Sequence, residues 1–232
     1  MGKFKIGMLI FPDMTNLDFA APLEVFARMP NTEVHILARD RSAVKTDVGS
    51  FVPPTMAIGE EPPLNLFFVG GGPGINALLG DEEILRFVAE KGLEADWVTS
   101  VCTGALVLGA AGLLRGYKAA THWTAMEALR PFGAAPTDKR VVVDRNRVTG
   151  GGVTAGIDFA LTIVALLHGD AVAQSMQLAM EYDPAPPFQS GSPKVAPPAI
   201  VERVRAGAAA LTADRIAIAE RVARKNGWPP AS

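Results

Sequence analysis

Two kinds of hydrophobic pattern alternate along the chain. Short stretches that are apolar almost throughout are typical of strands buried on both faces of a sheet, and they occur at Lys5–Phe11, Leu66–Val69 and Trp97–Val101. Glu33–Ala38 instead alternates apolar and polar residues, as a half-buried strand does. Apolar residues at helical spacing follow the strands. The predicted helices are Leu17–Arg28, Asp81–Lys91, Gly104–Leu114, Thr154–Leu167 and Ala171–Met180.

The second half of the chain adds three features. Arg140–Asp144 and Arg147–Thr149 predict a hairpin, and the proline-rich segment Asp183–Pro198 predicts irregular structure. Ile200–Lys225 then predicts one or two amphipathic helices. Strands that alternate with helices indicate a mostly parallel sheet covered on both faces. We therefore predict an α/β fold in a single domain over 1–232, with a C-terminal helical extension over 198–232.

Composition limits the classes of binding partner and the cellular compartment that we expect for this protein. Hydrophobic residues make up 49% of the chain and charged residues 20%, with a formal net charge of −2 and no long basic block. Nucleic acid and an anionic membrane surface are therefore not expected as partners. The single cysteine cannot form an intramolecular disulfide, and neither the N-terminal apolar run nor Val101–Leu114 is long enough for a signal peptide core or a membrane helix. We expect a cytoplasmic protein.

That single cysteine, Cys102, lies where a predicted strand ends and a predicted helix begins. The segment Ser100–Gly104 places small residues two positions to either side of it, as in the G-x-S-x-G nucleophile elbow. Unpaired N–H groups at the helix N-terminus would favour the thiolate over the thiol. The alternative is an inert buried thiol, since free cysteine is among the most buried residue types. Cys102 is thus a candidate nucleophile.

A nucleophilic cysteine needs a group that moves protons, and histidines and carboxylates are the candidates. His122 opens the element after the Cys102 helix and could approach the thiol, whereas His35 lies within a strand and His168 ends a helix. Asp18 falls in the first turn of the first helix, just beyond the first strand. That turn is expected at the sheet edge that carries Cys102, although Asp18 could serve only to complement the helix dipole.

Two glycine-rich segments follow strands. Gly70–Gly74 could direct backbone N–H groups at developing negative charge, or could be a plain tight turn. It lacks the G-K-[ST] ending of a phosphate loop. Thr149–Gly152 could simply let two backbones pack closely.

Five segments together resemble the ThiJ/PfpI superfamily. They are LDFAAPLEVF (Leu17–Phe26), VGGGPG (Val69–Gly74), TSVCTGALVLGAAGLL (Thr99–Leu114), ATHW (Ala120–Trp123) and VTGGGVTAGIDFALTI (Val148–Ile163). The resemblance covers nearly the whole chain. It implies a flavodoxin-like three-layer sandwich with a mostly parallel central sheet and a nucleophile elbow, related to class I glutamine amidotransferases. The tail QLAMEYDPAPPFQSGSP (Gln177–Pro193) is similar to that of members that hydrate isonitriles.

The resemblance also implies a homodimer that uses no cofactor and no metal. It identifies Cys102 as the nucleophile and Asp18 as the acid/base carboxylate. Gly72 corresponds to the oxyanion-site glycine, and Thr103 is the residue after the nucleophile, so both are expected to stabilise negative charge. Further residues that could line the site are Gly71, Gly151 and His122, and the resemblance gives His122 no established triad role.

For an isonitrile substrate, R–N≡C, the implied chemistry is covalent. The Cys102 thiolate attacks the terminal carbon while protonated Asp18 donates a proton, and water then hydrolyses the thioimidate to an N-substituted formamide. A glyoxalase-like or protein-repair enzyme with the same cysteine is an alternative, although Thr103 stands where the peptidase-like branch has histidine. A small-ligand-sensing domain of the kind fused to transcriptional activators is a third reading, although no helix-turn-helix pair is evident after Met180.

Overall fold

The computed structural model describes residues 2–229. Met1 and the last part of the predicted extension, 230–232, lie outside the described residues. The strands are β1 (Phe4–Leu9), β2 (Thr32–Ala38), β3 (Val44–Lys45), β4 (Phe51–Val52), β5 (Met56–Ala57), β6 (Leu66–Val69), β7 (Trp97–Val101), β8 (Lys118–Ala119), β9 (Ala135–Pro136), β10 (Val141–Asp144) and β11 (Arg147–Gly150). The helices are α1 (Asn16–Phe26), α2 (Ile75–Leu78), α3 (Glu82–Glu94), α4 (Gly104–Ala110), α5 (Gly156–His168), α6 (Asp170–Ala179) and α7 (Pro198–Lys225), with 3₁₀ segments at Trp123–Phe132 and Val153–Ala155.

Seven strands form the central sheet in the order β10-β11-β7-β6-β1-β2-β5. All neighbours pair in parallel except β10, which pairs antiparallel with β11 in the predicted hairpin. The chain runs outward from β1 through β2 to β5 and then returns to β6 on the other side of β1. In such sheets ligands bind beyond the carboxyl ends of the strands, where the order reverses. That position lies between β1 and β6.

Helices cover both faces of this sheet. On one face α1 packs on α5 and α5 on α6, while on the other α3 packs on α4 and α4 on the Trp123–Phe132 segment. The helix α7 lies outside the second layer and contacts that segment, α4 and α2. The three-layer α/β sandwich with a mostly parallel sheet is thus confirmed. None of the helices between residues 2 and 229 combines the length and apolar character needed to cross a bilayer.

Two successive residues of β6 anchor the two helical layers to the sheet. Phe68 packs against Phe26 of α1 and Phe159 of α5, with ring centroids 6.2 and 5.7 Å away. Its neighbour Phe67 turns to the other face and meets Phe87 of α3 at 5.9 Å. Successive strand residues point to opposite faces, and aromatic pairs at such distances contribute about 0.5–1.5 kcal/mol beyond their buried area. The strand that precedes the glycine loop is thereby fixed from both sides.

Some helix boundaries differ from the predicted ones because local hydrogen bonds end the helix earlier than the apolar pattern does. The helix α4 ends at Ala110 rather than Leu114, because Leu113 N–H donates to Leu108 and Gly112 N–H to Gly109 in a Schellman motif. Within the predicted C-terminal extension, Pro198–Lys225 forms one continuous helix, and the proline at its start suits the first helical turn. The Trp123–Phe132 segment was not predicted.

Candidate active site

Three chain segments meet at the sheet edge between β1 and β6. Asp18 comes from the first turn of α1, the Gly70–Gly74 loop follows β6, and Cys102 follows β7. The strands β1, β6 and β7 are neighbours in parallel register, with Leu9 opposite Val69 and Val69 opposite Ser100. Their carboxyl ends therefore fall side by side, which brings Asp18 and the glycine loop to the thiol.

Cys102 occupies a strained turn. Its φ is +52°, a left-handed conformation that costs a non-glycine residue on the order of 1–3 kcal/mol. Both sides of the residue are held: its N–H donates to the carbonyls of Gly151 at 2.7 Å and Gly150 at 3.1 Å, while the Thr121 hydroxyl donates to its carbonyl at 2.8 Å. This is the geometry of a nucleophile elbow. Gly151, predicted as a lining residue, thus holds the elbow through its backbone.

Asp18 is completely buried beside the thiol. Its Oδ2 accepts a hydrogen bond from Gly71 N–H at 2.9 Å. Its Oδ1 has no hydrogen-bond partner among the described residues. Burial raises the pKa of Asp18 from its ordinary value of 3.8 to about 7, helped by the charge of Asp47 and opposed by interaction with the Cys102 thiol and by Gly71. Near neutral pH Asp18 is therefore poised to take up or release a proton.

The thiol of Cys102 is also less acidic than usual. Burial raises its pKa well above the ordinary value, and the adjacent Asp18 carboxylate raises it further. The N–H and hydroxyl of Thr103, at the start of α4, lower it. The expected thiolate-favouring effect of the helix N-terminus is thus present but is outweighed by desolvation. The resting site therefore favours the thiol over the thiolate, and a proton can pass between Cys102 and Asp18.

The glycine loop contributes amide groups that are already engaged. Gly71 N–H bonds to Asp18, and Gly72 N–H donates to Thr103 Oγ1 at 3.1 Å. The Thr103 hydroxyl also lies 3.5 Å from the Gly72 carbonyl oxygen, to which it can donate, and its interaction with Cys102 lowers the pKa of the thiol. The oxyanion role of Gly72 stays a prediction, and in this geometry any such effect of Gly72 passes through Thr103.

Close packing requires small residues here. A Cβ on Gly71 would lie 2.5 Å from Thr103 N and 2.8 Å from Asp18 Oδ2, so a side chain would displace the two groups that flank the thiol. A Cβ on Gly104 would lie 2.1 Å from the Val69 carbonyl oxygen. The small flanking residues of the elbow motif are therefore a steric requirement in this fold.

Sequence reasoning missed Arg215 of α7. Its side chain is 5% exposed, with Nη2 donating to the Gly72 carbonyl and Nε to Asn76 Oδ1, both at 3.1 Å. Burial lowers the pKa of Arg215, and negative charge on Cys102 raises it. The available signal was helical spacing: the buried residues of α7 are Arg215, Ala219 and Ala223, each four positions apart.

His122 lies beside the site but is not paired with the thiol. Its Nδ1 bonds to Thr124 at 2.8 Å, and its pKa is lowered by burial and by the charge of Arg215. His122 lines a cleft of about 370 Å³ with Thr121, Gly151, Gly152 and the proline-rich residues 191–194. The cleft ends at Thr121 and Gly151, which are hydrogen-bonded to Cys102, and Cys102 itself is 5% exposed. Within residues 2–229 no three His, Cys, Asp or Glu side chains gather as metal ligands would.

This fold, with a cysteine elbow beside a buried carboxyl, has relatives among known proteins. The DJ-1/PfpI family model matches residues 4–166, and the chain belongs to this family. It is 47% identical to isonitrile hydratase of Pseudomonas putida, over 95% of this chain and 97% of that protein. The resemblance seen in the sequence is thereby confirmed.

Two further proteins are similar to the chain. A solved ThiJ/PfpI family protein from Pseudomonas syringae is 44% identical, with a TM-score of 0.92 over 94% of this chain and 91% of that one. The HTH-type transcriptional regulator GbdR of Pseudomonas aeruginosa is 27% identical over 77% of this chain but only 50% of the regulator.

Proposed function

We propose that this protein is an enzyme that hydrates isonitriles to N-substituted formamides, with Cys102 as nucleophile and Asp18 as general acid and base. The identity to isonitrile hydratase over nearly the full length of both chains supports the reaction. The observation that carries the mechanism is the buried Asp18 carboxyl beside Cys102, with a pKa raised to about 7 and one oxygen free of fixed partners. A group that titrates near the working pH is suited to both proton uptake and proton release.

The first stage forms a carbon–sulfur bond. Asp18 takes the thiol proton as the sulfur of Cys102 attacks the terminal carbon of R–N≡C, and Asp18 then delivers that proton to the same carbon. The product is a thioimidate, R–N=CH–S–Cys102, with the carboxylate restored. The reaction can equally start from a thiolate beside a protonated Asp18, because that form holds the same number of protons as a thiol beside the Asp18 carboxylate.

The second stage hydrolyses the thioimidate. Asp18 accepts a proton from water as the oxygen attacks the former isonitrile carbon, and the nitrogen receives that proton. The tetrahedral adduct, R–NH–CH(OH)–S–Cys102, loses its hydroxyl proton and expels the sulfur, which is reprotonated through Asp18. The sum is R–N≡C plus H₂O giving R–NH–CHO, and no redox step is needed.

Access to the thiol also suits this substrate class. Cys102 is 5% exposed and is hydrogen-bonded to Thr121 and Gly151, two residues that line the cleft, so a bulky electrophile cannot reach the sulfur without displacing its neighbours. An isonitrile presents a bare terminal carbon on a linear N≡C unit. Only that narrow end has to reach the sulfur, while R remains in the cleft beside His122.

The test is turnover of an alkyl and an aryl isonitrile by wild type, Cys102→Ser and Asp18→Asn, with the exposed Asp47→Asn as the matched control. We expect formamide from wild type and Asp47→Asn and almost none from the other two. In D₂O the formyl position should carry deuterium, and in H₂¹⁸O the formyl oxygen should carry the label. Product formation by Cys102→Ser at the wild-type rate would refute the covalent mechanism.

The same assay separates the alternatives. Consumption of methylglyoxal without isonitrile turnover would move the chain to a glyoxalase-like function with the same cysteine. Binding without turnover of either compound would favour a small-ligand-sensing domain, for which the similarity to half of GbdR is the observation in favour.

We also propose that the chain forms a single domain and assembles as a cytoplasmic homodimer. Large apolar side chains remain exposed on α6 and in the proline-rich segment, where Leu178 is 82% and Phe188 76% exposed, which leaves surface for a second copy to cover. Light scattering after size exclusion tests the assembly, and a monomer at micromolar concentration would refute it.

A further inference from the structure

Arg215 is a buried cation that has no carboxylate partner. None of the ion pairs found among residues 2–229 includes it, although its side chain is 5% exposed. Its hydrogen-bond partners, the Gly72 carbonyl and Asn76 Oδ1, are neutral. Buried charges in proteins are normally paired because desolvation is costly. An unpaired guanidinium at the edge of the active site therefore calls for an anion there.

The geometry connects Arg215 to the thiol by short steps. Its Nη2 holds the carbonyl of Gly72, whose N–H is held by Thr103 Oγ1, and Thr103 directly follows Cys102. The charged and titratable groups around the sulfur are Asp18 from α1, His122 ahead of the 3₁₀ segment and Arg215 from α7. Burial and the charge of the guanidinium lower the pKa of His122, which favours its neutral form. Arg215 is thus the one permanent cation among these groups.

We propose that Arg215 is a positioning residue that acts as the counter-cation of the Cys102 thiolate and fixes the Gly72 backbone beneath it. When Cys102 and Asp18 share one proton they carry one negative charge, and the guanidinium makes the buried site neutral overall. The charge on sulfur is greatest when the thiol gives up its proton and when the tetrahedral adduct collapses. A fixed cation stabilises these states more than the resting thiol.

This inference rests on the proposed function only where it predicts an effect of Arg215 on isonitrile turnover. Its primary readout is the reactivity of Cys102 itself. Because the chain contains a single cysteine, alkylation by iodoacetamide reports on that thiol alone. Below the thiol pKa the alkylation rate follows the thiolate fraction, so a rise of one pKa unit slows the reaction tenfold. An opposite charge close to an ionisable group shifts its pKa by about 1–3 units.

The variants separate charge from packing. Arg215→Met removes the charge, Arg215→Lys keeps it, and Arg221→Met removes an exposed arginine from the same helix as the matched control. Asn76→Asp leaves Arg215 in place and sets a carboxylate against its Nε, which neutralises the cation without emptying its site. The last variant keeps the test valid if Arg215→Met does not fold.

We expect Arg215→Met and Asn76→Asp to alkylate about tenfold more slowly than wild type at pH 7–8.5. Arg215→Lys should recover most of the rate, and Arg221→Met all of it. Isonitrile turnover should fall in the same order through kcat rather than KM. If α7 only covered the site, its loosening would expose the thiol and speed alkylation, so a rate at or above that of wild type overturns the proposal. Absence of isonitrile turnover in wild type would refute the proposed function and leave the alkylation test of Arg215 intact.

Discussion

Asp18→Asn should make the protein more stable while it removes catalysis. The folded protein holds a proton on Asp18 up to a pH of about 7, whereas the ordinary pKa of the group is 3.8. A carboxyl whose pKa is raised by folding costs stability as the pH rises between those two values, because the folded state binds more protons than the unfolded chain. At 1.36 kcal/mol per pKa unit the ionised carboxyl costs the fold about 4 kcal/mol above neutral pH.

Asparagine removes this cost and keeps the contact. Its amide oxygen can still accept the hydrogen bond that Gly71 N–H donates to Asp18 Oδ2. The free energy of unfolding would be measured in urea from pH 5 to pH 8.5 for wild type, Asp18→Asn and Asp47→Asn. Over that range about two pKa units of the shift are titrated, so the advantage of Asp18→Asn should grow by about 3 kcal/mol.

The comparison with Asp47→Asn excludes a general charge effect. Asp47 lies near Asp18 but is exposed, and an asparagine there can still accept from Asn16 N–H and bond to the Thr15 hydroxyl, so its replacement should cost under about 1 kcal/mol, nearly independent of pH over this range. A stability difference between Asp18→Asn and wild type that stays constant from pH 5 to pH 8.5 would refute the reasoning. It would mean that Asp18 is ionised in the folded protein throughout this range.

Three further predictions concern the pair and its supports. In wild type, kcat/KM should rise with pH to a plateau with a midpoint at about pH 7, because at lower pH Asp18 is protonated and cannot take the thiol proton. Asp47→Asn should lower this midpoint by a few tenths of a pH unit. A kcat/KM that falls between pH 5 and 8 would contradict the prediction. Gly71→Ala should cost at least about 100-fold in kcat, since its Cβ displaces Asp18 and Thr103, whereas Gly80→Ala meets nothing nearer than 3.8 Å and should match wild type in the same assay. Thr103→Val should slow thiol alkylation and lower the free energy of unfolding by about 1–3 kcal/mol, because Gly72 N–H loses its acceptor, and Thr103→Ser should restore both.

The sequence was sufficient for the layers of the fold because strand and helix patterns alternate strongly. Apolar runs such as Leu66–Val69 have no polar face, which is typical of strands buried between two helical layers, as β6 is. The elbow at Cys102 was readable because a sharp strand-to-helix turn demands small neighbours at fixed offsets. Helix boundaries could not be predicted as well where hydrogen bonds other than the regular i to i−4 bonds of the helix determine them, as at the C-terminal end of α4.

The electrostatics of the site could not be read in the same way. The helix N-terminus at Thr103 predicts a thiolate, but the degree of burial of Cys102 depends on elements from every part of the chain, and burial has the larger effect on its pKa. Arg215 was missed because nothing in an amphipathic helix shows which distant loop its arginine will meet. The packing of α7 on the Trp123–Phe132 segment, α4 and α2 brings it to Gly72.

The bond between Arg215 and Gly72 joins residues 143 positions apart. During synthesis from the N-terminus, the sheet, the elbow and the carboxyl can all assemble while α7 is still in the ribosome. Contacts between such distant residues also form late when a chain folds, because a long loop must close before they contribute. The helix that carries the proposed counter-cation is therefore made after the rest of the site, and recovery of full activity on refolding should lag behind recovery of the helical signal.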